Sequence, residues 1–205
     1  MRLTTALART YTASLLALVL SLPSAAQTRD TQSTAAVVQT SLGIDNFGQV
    51  NSNYYRGAQP KGPDYAGLAA LGVKTLINLT SDDAQTNEKS LTEHAGMRYF
   101  QIPMTTHRPP TSAQLTEFLK LVNDPVNQPV FVHCVGGRHR TGVMTAVYRM
   151  TQDGWAADRA FKEMKQFKFG ADFLHSEFKA FVYAYSPKAH AVAGEAAVSP
   201  TKAGG

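Results

Sequence analysis

The apolar run Val130-Phe131-Val132 leads directly into His133-Cys134-Val135-Gly136-Gly137-Arg138-His139-Arg140-Thr141-Gly142. This stretch constrains the fold tightly: a short buried strand must end, the chain must turn at once, and a helix must begin. The only cysteine of the 205-residue chain sits at the strand end, and Arg140 follows after five intervening residues. A loop entering a helix N-terminus turns its backbone N–H groups inward, and the helix dipole adds positive charge, which together make an anion site. Gly136 and Gly137 permit the curl, and the planar fork of Arg140 matches two phosphate oxygens at once. One opposite charge at about 4 Å contributes about 4 kcal/mol at an effective dielectric near 20. That is enough to favour the thiolate of Cys134 as the reactive form. A thiolate in a phosphate-shaped cradle attacks phosphorus and forms a covalent intermediate that water later clears.

The pattern His133-Cys134-x5-Arg140-Thr141-Gly142 resembles the signature of the cysteine-dependent protein tyrosine and dual-specificity phosphatases, with the signature glycine at Gly137. Its Gly137–Gly142 ending is most similar to the atypical plant and fungal dual-specificity branch and its bacterial relatives. The likeness spans roughly residues 44–185, and only the loop is a specific match. It implies that His133 orders the loop, Cys134 attacks, Arg140 binds phosphate and Thr141 assists hydrolysis. It also implies a phosphate cradle running through Val135, Gly136, Gly137, Arg138, His139 and Arg140. The competing reading of Cys134 is an inert core thiol at a strand end. A nucleotide-binding P-loop fits worse, because Gly-x4-Gly-Lys is absent and no lysine occurs between Lys120 and Lys162.

The expected proton donor is harder to find. Related phosphatases place an aspartate on the loop after the preceding strand, and general acid catalysis of this kind contributes roughly 10²–10⁴ in rate. Here that loop reads Ile102-Pro103-Met104-Thr105-Thr106-His107-Arg108-Pro109-Pro110, with Thr106 in the aspartate's place and no carboxylate between Glu93 and Glu117. Three readings stay open. His107 donates; Asp82 or Asp83 reaches in from the loop after Thr75–Leu79; or no residue donates, and turnover favours leaving groups that depart unaided. Asp82 and Asp83 also suit helix capping.

Residues 1–26 read as a secretory signal: Arg2 and Arg9 precede the apolar stretch Ala13–Leu22, and Ser24-Ala25-Ala26 suits cleavage before Gln27. The apolar stretch is short for a permanent span, so no stable membrane insertion is expected after cleavage; an uncleaved tether is the competing reading. A periplasmic or secreted bacterial protein is the expected localisation. In an oxidising compartment a lone cysteine builds no disulfide scaffold, which favours a catalytic role. It also argues against arsenate reductases, whose similar loop works with further redox cysteines. Loss of Arg2 and Arg9 lowers the formal charge from +5 to +3, too mild and too dispersed to argue for nucleic acid. Residues 27–42 read as a linker, 43–186 as the phosphatase domain, and 187–205 as a disordered tail.

Within the domain, strands alternate with helices. Phe47–Val50 and Tyr54–Gly57 suit a hairpin or edge pair. Asp64–Leu71, Ala84–Ala95, Ser112–Val122, Arg140–Gln152, Ala156–Phe167 and Phe173–Tyr185 read as helices, with Ser112 as a cap; Lys74–Leu79, Arg98–Ile102 and Pro129–His133 read as strands. The expected fold is α/β, a central mostly parallel sheet flanked by helices and dual-specificity-phosphatase-like, with ligands at the strands' carboxyl ends. Arg56 either meets a second anionic group or lies buried against the sheet. Arg138 and His139 either favour multiply phosphorylated substrates or face solvent and protein respectively. The six histidines lie scattered along the chain without metal-ligand spacing, so neither metal nor organic cofactor is expected.

The expected activity is phosphomonoester hydrolysis on a phosphorylated protein, phosphotyrosine by default, with an inositol phosphate or phosphoinositide as the alternative. Rival readings are a phosphate-ester binding module with little turnover and, more weakly, rhodanese-type sulfur transfer. The oligomeric state is not legible.

Overall fold

The computed structural model describes residues 42–81 and 85–188. The leader and linker, most of the tail, and Asp82, Asp83 and Ala84 lie outside them. Five strands form one sheet: β1 (Gly48–Asn51), β2 (Tyr54–Ala58), β3 (Thr75–Asn78), β4 (Arg98–Gln101) and β5 (Val130–Cys134), in the order β1-β2-β5-β3-β4. Only the β1–β2 pair is antiparallel; β2–β5, β5–β3 and β3–β4 run parallel. The expected mostly parallel sheet is therefore present. The hairpin pair is too, although of the two only β1 lies at an edge of the sheet and β2 is an inner strand.

β5 is central and every one of its residues is buried, as its unbroken apolar run requires of a strand covered on both faces. Its register pairs Cys134 with Ala58 on one side and His133 with Asn78 on the other, so three parallel strands end together at Cys134. Side chains alternate across a strand. Val130, Val132 and Cys134 face one core, and Phe131 faces the other.

The second core is covered by α1 (Asp64–Ala70) and α2 (Glu88–His94), with Tyr65 and Leu68 packed against Leu76 and Phe131. The first is covered by α3 (Ser112–Asn123), α4 (His139–Gln152), α5 (Ala157–Gln166) and α6 (Ser176–Ala184). There Phe118, Val143, Phe161 and Phe178 pack around Val132. Every residue of α4 from Arg140 through Tyr148 is buried, and fully burying a Val side chain such as Val143 or Val147 contributes about 1.5–3 kcal/mol.

Some boundaries differ from expectation. The α3 cap is Thr111 rather than Ser112: its hydroxyl accepts from Gln114 N–H, and the Gln114 side chain reaches back to the Thr111 amide. This reciprocal box satisfies two otherwise open donors. Helix α2 begins at Glu88, later than the expected Ala84, and α6 begins at Ser176 rather than Phe173. Glu88 is fully buried at its helix start. Phe173, with 80% of its surface exposed, lies in the turn before α6.

Candidate active site

The β5–α4 loop is shaped from behind. The carbonyl of Val135 accepts from Gln59 N–H at 3.2 Å. The carbonyl of Gly137 accepts from Arg56 Nη2 at 2.6 Å and Asn46 Nδ2 at 2.9 Å. Asn46 Nδ2 also lies 3.5 Å from Gly136 O and 2.7 Å from Phe167 O. A trans peptide is planar with its N–H opposite its C=O. Tying these carbonyls to the back of the loop therefore turns the amides of Gly136, Gly137 and Arg138 to the front. That is the concave nest of donors an oxyanion requires.

In front of the loop lies a cleft of about 260 Å³. Cys134, Val135 and Gly136 line it from the loop, Arg138, His139 and Arg140 from the start of α4, and Thr106 from the loop after β4. Cys134 is buried and unbridged. Arg140 is buried too, and its Nη1 donates to Met104 O at 3.1 Å. This bond ties the β4–α3 segment to the site. The Gln114 side chain holds the same segment at the Pro103 carbonyl.

Gly137 does not line the cleft. Its φ of +62°, together with a backbone close behind, explains the glycine: a Cβ there would meet Gly57 C at 2.4 Å. Arg56 is fully buried, and its guanidinium stacks on Phe167 with 4.0 Å to the ring centre. Burial pushes its pKa down, and the charges of Tyr54, Glu163 and Cys134 oppose that shift. Of the two readings of Arg56, the structure selects the buried one and gives it a task, holding the loop's curl.

His133 alternates to the sheet face opposite Cys134. Its Nε2 lies 3.0 Å from Glu88 Oε1, with both side chains fully buried, though off the line of a hydrogen bond. Glu88 also receives bonds from Asn78 Nδ2, Tyr65 Oη at 3.3 Å and Gln59 Nε2 at 3.5 Å. Burial and the neighbouring Glu88 push the Tyr65 hydroxyl well above the usual phenol range. The His133 side chain therefore lies away from Cys134, and only the strand backbone joins the two; the His133 carbonyl accepts from Leu79 N–H at 2.9 Å. Thr141 is wholly buried in the first turn of α4 and also lies outside the lining; its Oγ1 has no hydrogen-bond partner among the described residues.

Arg138 is exposed, with its side chain packed over Gly136 at 3.6 Å from the position a Cβ would take. His139 both lines the cleft and faces the protein. Its Nε2 lies 2.9 Å from Phe169 O, and burial is the main cause that lowers its pKa, with His175 and the flanking arginines adding to it. Thr106 reaches the cleft. His107 is exposed and stacks on His175, ring centres 5.7 Å apart. Among the described residues no carboxylate lines the cleft; Asp82 and Asp83 fall outside them. The histidines are not scattered in space: His107, His139 and His175 converge at one rim of the cleft. Residues far apart in the chain meet there because the β4–α3 loop, the start of α4 and the turn before α6 pack side by side.

A buried cysteine and a buried arginine lining one cleft at a turn of inward amides suit a phosphocysteine enzyme, and the model of the Tyrosine phosphatase family matches residues 41–191. The chain belongs to that family. This phosphatase is 28% identical over 130 residues to the inositol diphosphatase SIW14 of Saccharomyces cerevisiae, a match spanning 61% of this chain and 46% of that one. It is 30% identical over 146 residues to the dual specificity protein phosphatase TpbA of Pseudomonas aeruginosa, spanning 71% of this chain and 65% of that one. In both cases it covers less than two thirds of the relative's length. The SIW14 core catalytic domain, crystallised with citrate, superposes with a TM-score of 0.64 at 24% identity, covering 77% of this chain and 96% of that one. TpbA in complex with pTyr superposes with a TM-score of 0.62 at 26% identity, covering 72% and 89%.

Sequence reasoning missed three residues of this phosphatase's site: Asn46, Glu88 and, as a loop anchor, Arg56. Asn46 has a φ of +57°, a conformation asparagine tolerates, but nothing in its neighbours marks it. Glu88 reads like any helix carboxylate until the fold buries it.

Proposed function

We propose that this phosphatase removes phosphoryl groups from leaving groups of low basicity, with phosphotyrosine in proteins as the principal substrate class. The observation that carries this reading is Thr106, which faces the cleft from the loop where a carboxylic acid would otherwise protonate the leaving oxygen. A phenolate, with a parent pKa near 10, departs more readily without a proton than an alkoxide does. Cys134 attacks phosphorus as the thiolate. Arg140 and the amides of Gly136, Gly137 and Arg138 hold the equatorial oxygens as negative charge spreads over them. Water then hydrolyses the phosphocysteine, and the inferred role of Thr141 is to offer its hydroxyl to the departing sulfur. That TpbA has been crystallised with pTyr supports the substrate class.

A second reading rests on Arg138, an exposed cation at the cleft lining beside Arg140. It suits a substrate with a further phosphate. In a phosphoanhydride the leaving group is itself a phosphate of pKa near 6, which needs no acid. The name of SIW14, an inositol diphosphatase, supports this alternative. We further propose export through the Met1–Ala26 leader, which N-terminal sequencing of the mature protein tests by showing Gln27 first.

The test of function is release of phosphate from a phosphotyrosine peptide, a phosphoserine peptide and a diphosphoinositol polyphosphate. The expected order places the aryl ester far above the alkyl ester, with Cys134→Ser silent on all three. Preference for the diphosphate would move the assignment to the second reading. Tight binding with no release by the wild type would overturn both.

A further inference from the structure

We propose that His107, His175 and Glu177 form a binding site for one divalent transition ion of the zinc class at the rim of the phosphate cleft. Each offers one ligand atom, and the three atoms lie within 4.8 Å of one another. His175 Nδ1 and Glu177 Oε1 are 3.4 Å apart in a long hydrogen bond that a shared ion would replace. Zinc bonds of about 2.0–2.2 Å to nitrogen and oxygen place neighbouring tetrahedral ligands roughly 3.3–3.5 Å apart, so this pair stands at the separation one shared ion imposes. The third ligand, His107, is exposed on a loop, where side-chain rotation closes the remaining distance.

The donor set selects the ion. Two imidazoles and a carboxylate suit zinc, cobalt and their neighbours better than magnesium or calcium, which take oxygen ligands. Three protein ligands also leave a coordination position open for water or an anion. The site is braced: the His175 ring lies against His139 with centres 3.7 Å apart, and against Phe169 and Phe178 at 6.3 and 5.9 Å. His139 in turn is held at Phe169 O. Such packing fixes the direction of the His175 ring without drawing on its Nδ1.

Placement gives the ion a consequence. Thr106, next to His107, lines the cleft, as does His139 beneath His175. A bound ion ties the β4–α3 loop to the first turn of α6 across that rim. The loop that faces the leaving group is then fixed by metal availability, a form of control separate from the nest that binds phosphate.

Cobalt(II) added to the untagged full-length chain is the probe, with ligand-field absorption, zinc displacement and thermal melting as readouts. We expect one equivalent bound in both the wild type and Cys134→Ser, displaced by zinc, with melting shifted upward by saturating zinc. Affinity should fall in His107→Ala and in Glu177→Gln by more than the ~10-fold that loss of an outer-shell partner costs. His107 is exposed, so its variant keeps the fold where His175→Ala disturbs packing; circular dichroism verifies this. Three results overturn the site: no cobalt spectrum, a thiolate-to-cobalt band that vanishes in Cys134→Ser, or an affinity indifferent to both variants.

Discussion

Glu88 Oε1 stands 3.0 Å from His133 Nε2 in the dry layer beneath the sheet, one residue along the strand from the nucleophile. Both side chains are wholly buried, and Asn78 and Tyr65 close the remaining sides of the carboxylate. Glu88→Ala takes away an acceptor shared by Asn78 and Tyr65, leaving Asn78 with Tyr99 Oη and Tyr65 with Pro60 O. Losing a buried hydrogen-bond partner costs roughly 1–3 kcal/mol, so a loss of about 1–3 kcal/mol is expected in denaturant unfolding. Glu88→Gln, which preserves shape and an acceptor, should lose less. Wild-type stability in Glu88→Ala would remove the carboxylate from any part in holding His133.

Gly137 combines a φ of +62° with a backbone wall at 2.4 Å from its Cβ position. The left-handed conformation alone costs a side-chain-bearing residue about 1–2 kcal/mol, and the clash with Gly57 adds to it. Gly137→Ala should therefore push the loop off β2, break the Arg56 and Asn46 bonds, and cut kcat/KM at least ~100-fold, the scale of losing one oxyanion donor. Near-normal kinetics in a folded Gly137→Ala protein would show that the nest does not depend on this contact.

Thr106 already reaches the cleft, so an acid placed there has a short path to the leaving oxygen. Thr106→Asp should raise turnover of alkyl phosphates by up to ~10²–10⁴, with much less effect on para-nitrophenyl phosphate. A comparison of the two substrates across pH measures this directly. Equal changes on both would mean that the loop does not face the leaving group.

Asp172 joins α5 to α6 by accepting from Lys165 at 2.6 Å and Lys179 at 2.7 Å. These bonds, Lys165 first, hold its carboxyl below the usual range. A lowered folded-state value means that the stabilisation is present above the unfolded carboxylate range and fades as pH falls through the lowered value. Acid unfolding of Asp172→Asn should show a flatter limb below about pH 4. Because the pair is open to solvent, salt should shrink the difference. An unchanged acid limb would show that the bridge contributes nothing in solution.

The strand-loop-helix at residues 130–142 was readable because its determinants are local: an apolar run, glycines at the turn, and an arginine at fixed spacing. The α3 cap was off by one residue, since Thr111 and Ser112 are both competent caps and the Gln114 side chain chooses between them. The delayed start of α2 has a different origin, the burial of Glu88 against the sheet, which periodicity does not register. Arg56 was left between two readings because a lone arginine on a strand carries no sign of which face it serves.

The chain of residues by itself determined the cysteine at the end of a strand, the arginine at fixed spacing after it, and the alternation of strands with helices, because each is written within one turn or one strand. Tertiary structure alone decided what stands behind the loop and what gathers at its rim. Asn46, Arg56 and Glu88 come to the site from separate elements, and His107 and His175 meet because the β4–α3 loop and the α5–α6 turn both pack beside the start of α4. Such meetings depend on strand order and register, which no local pattern encodes.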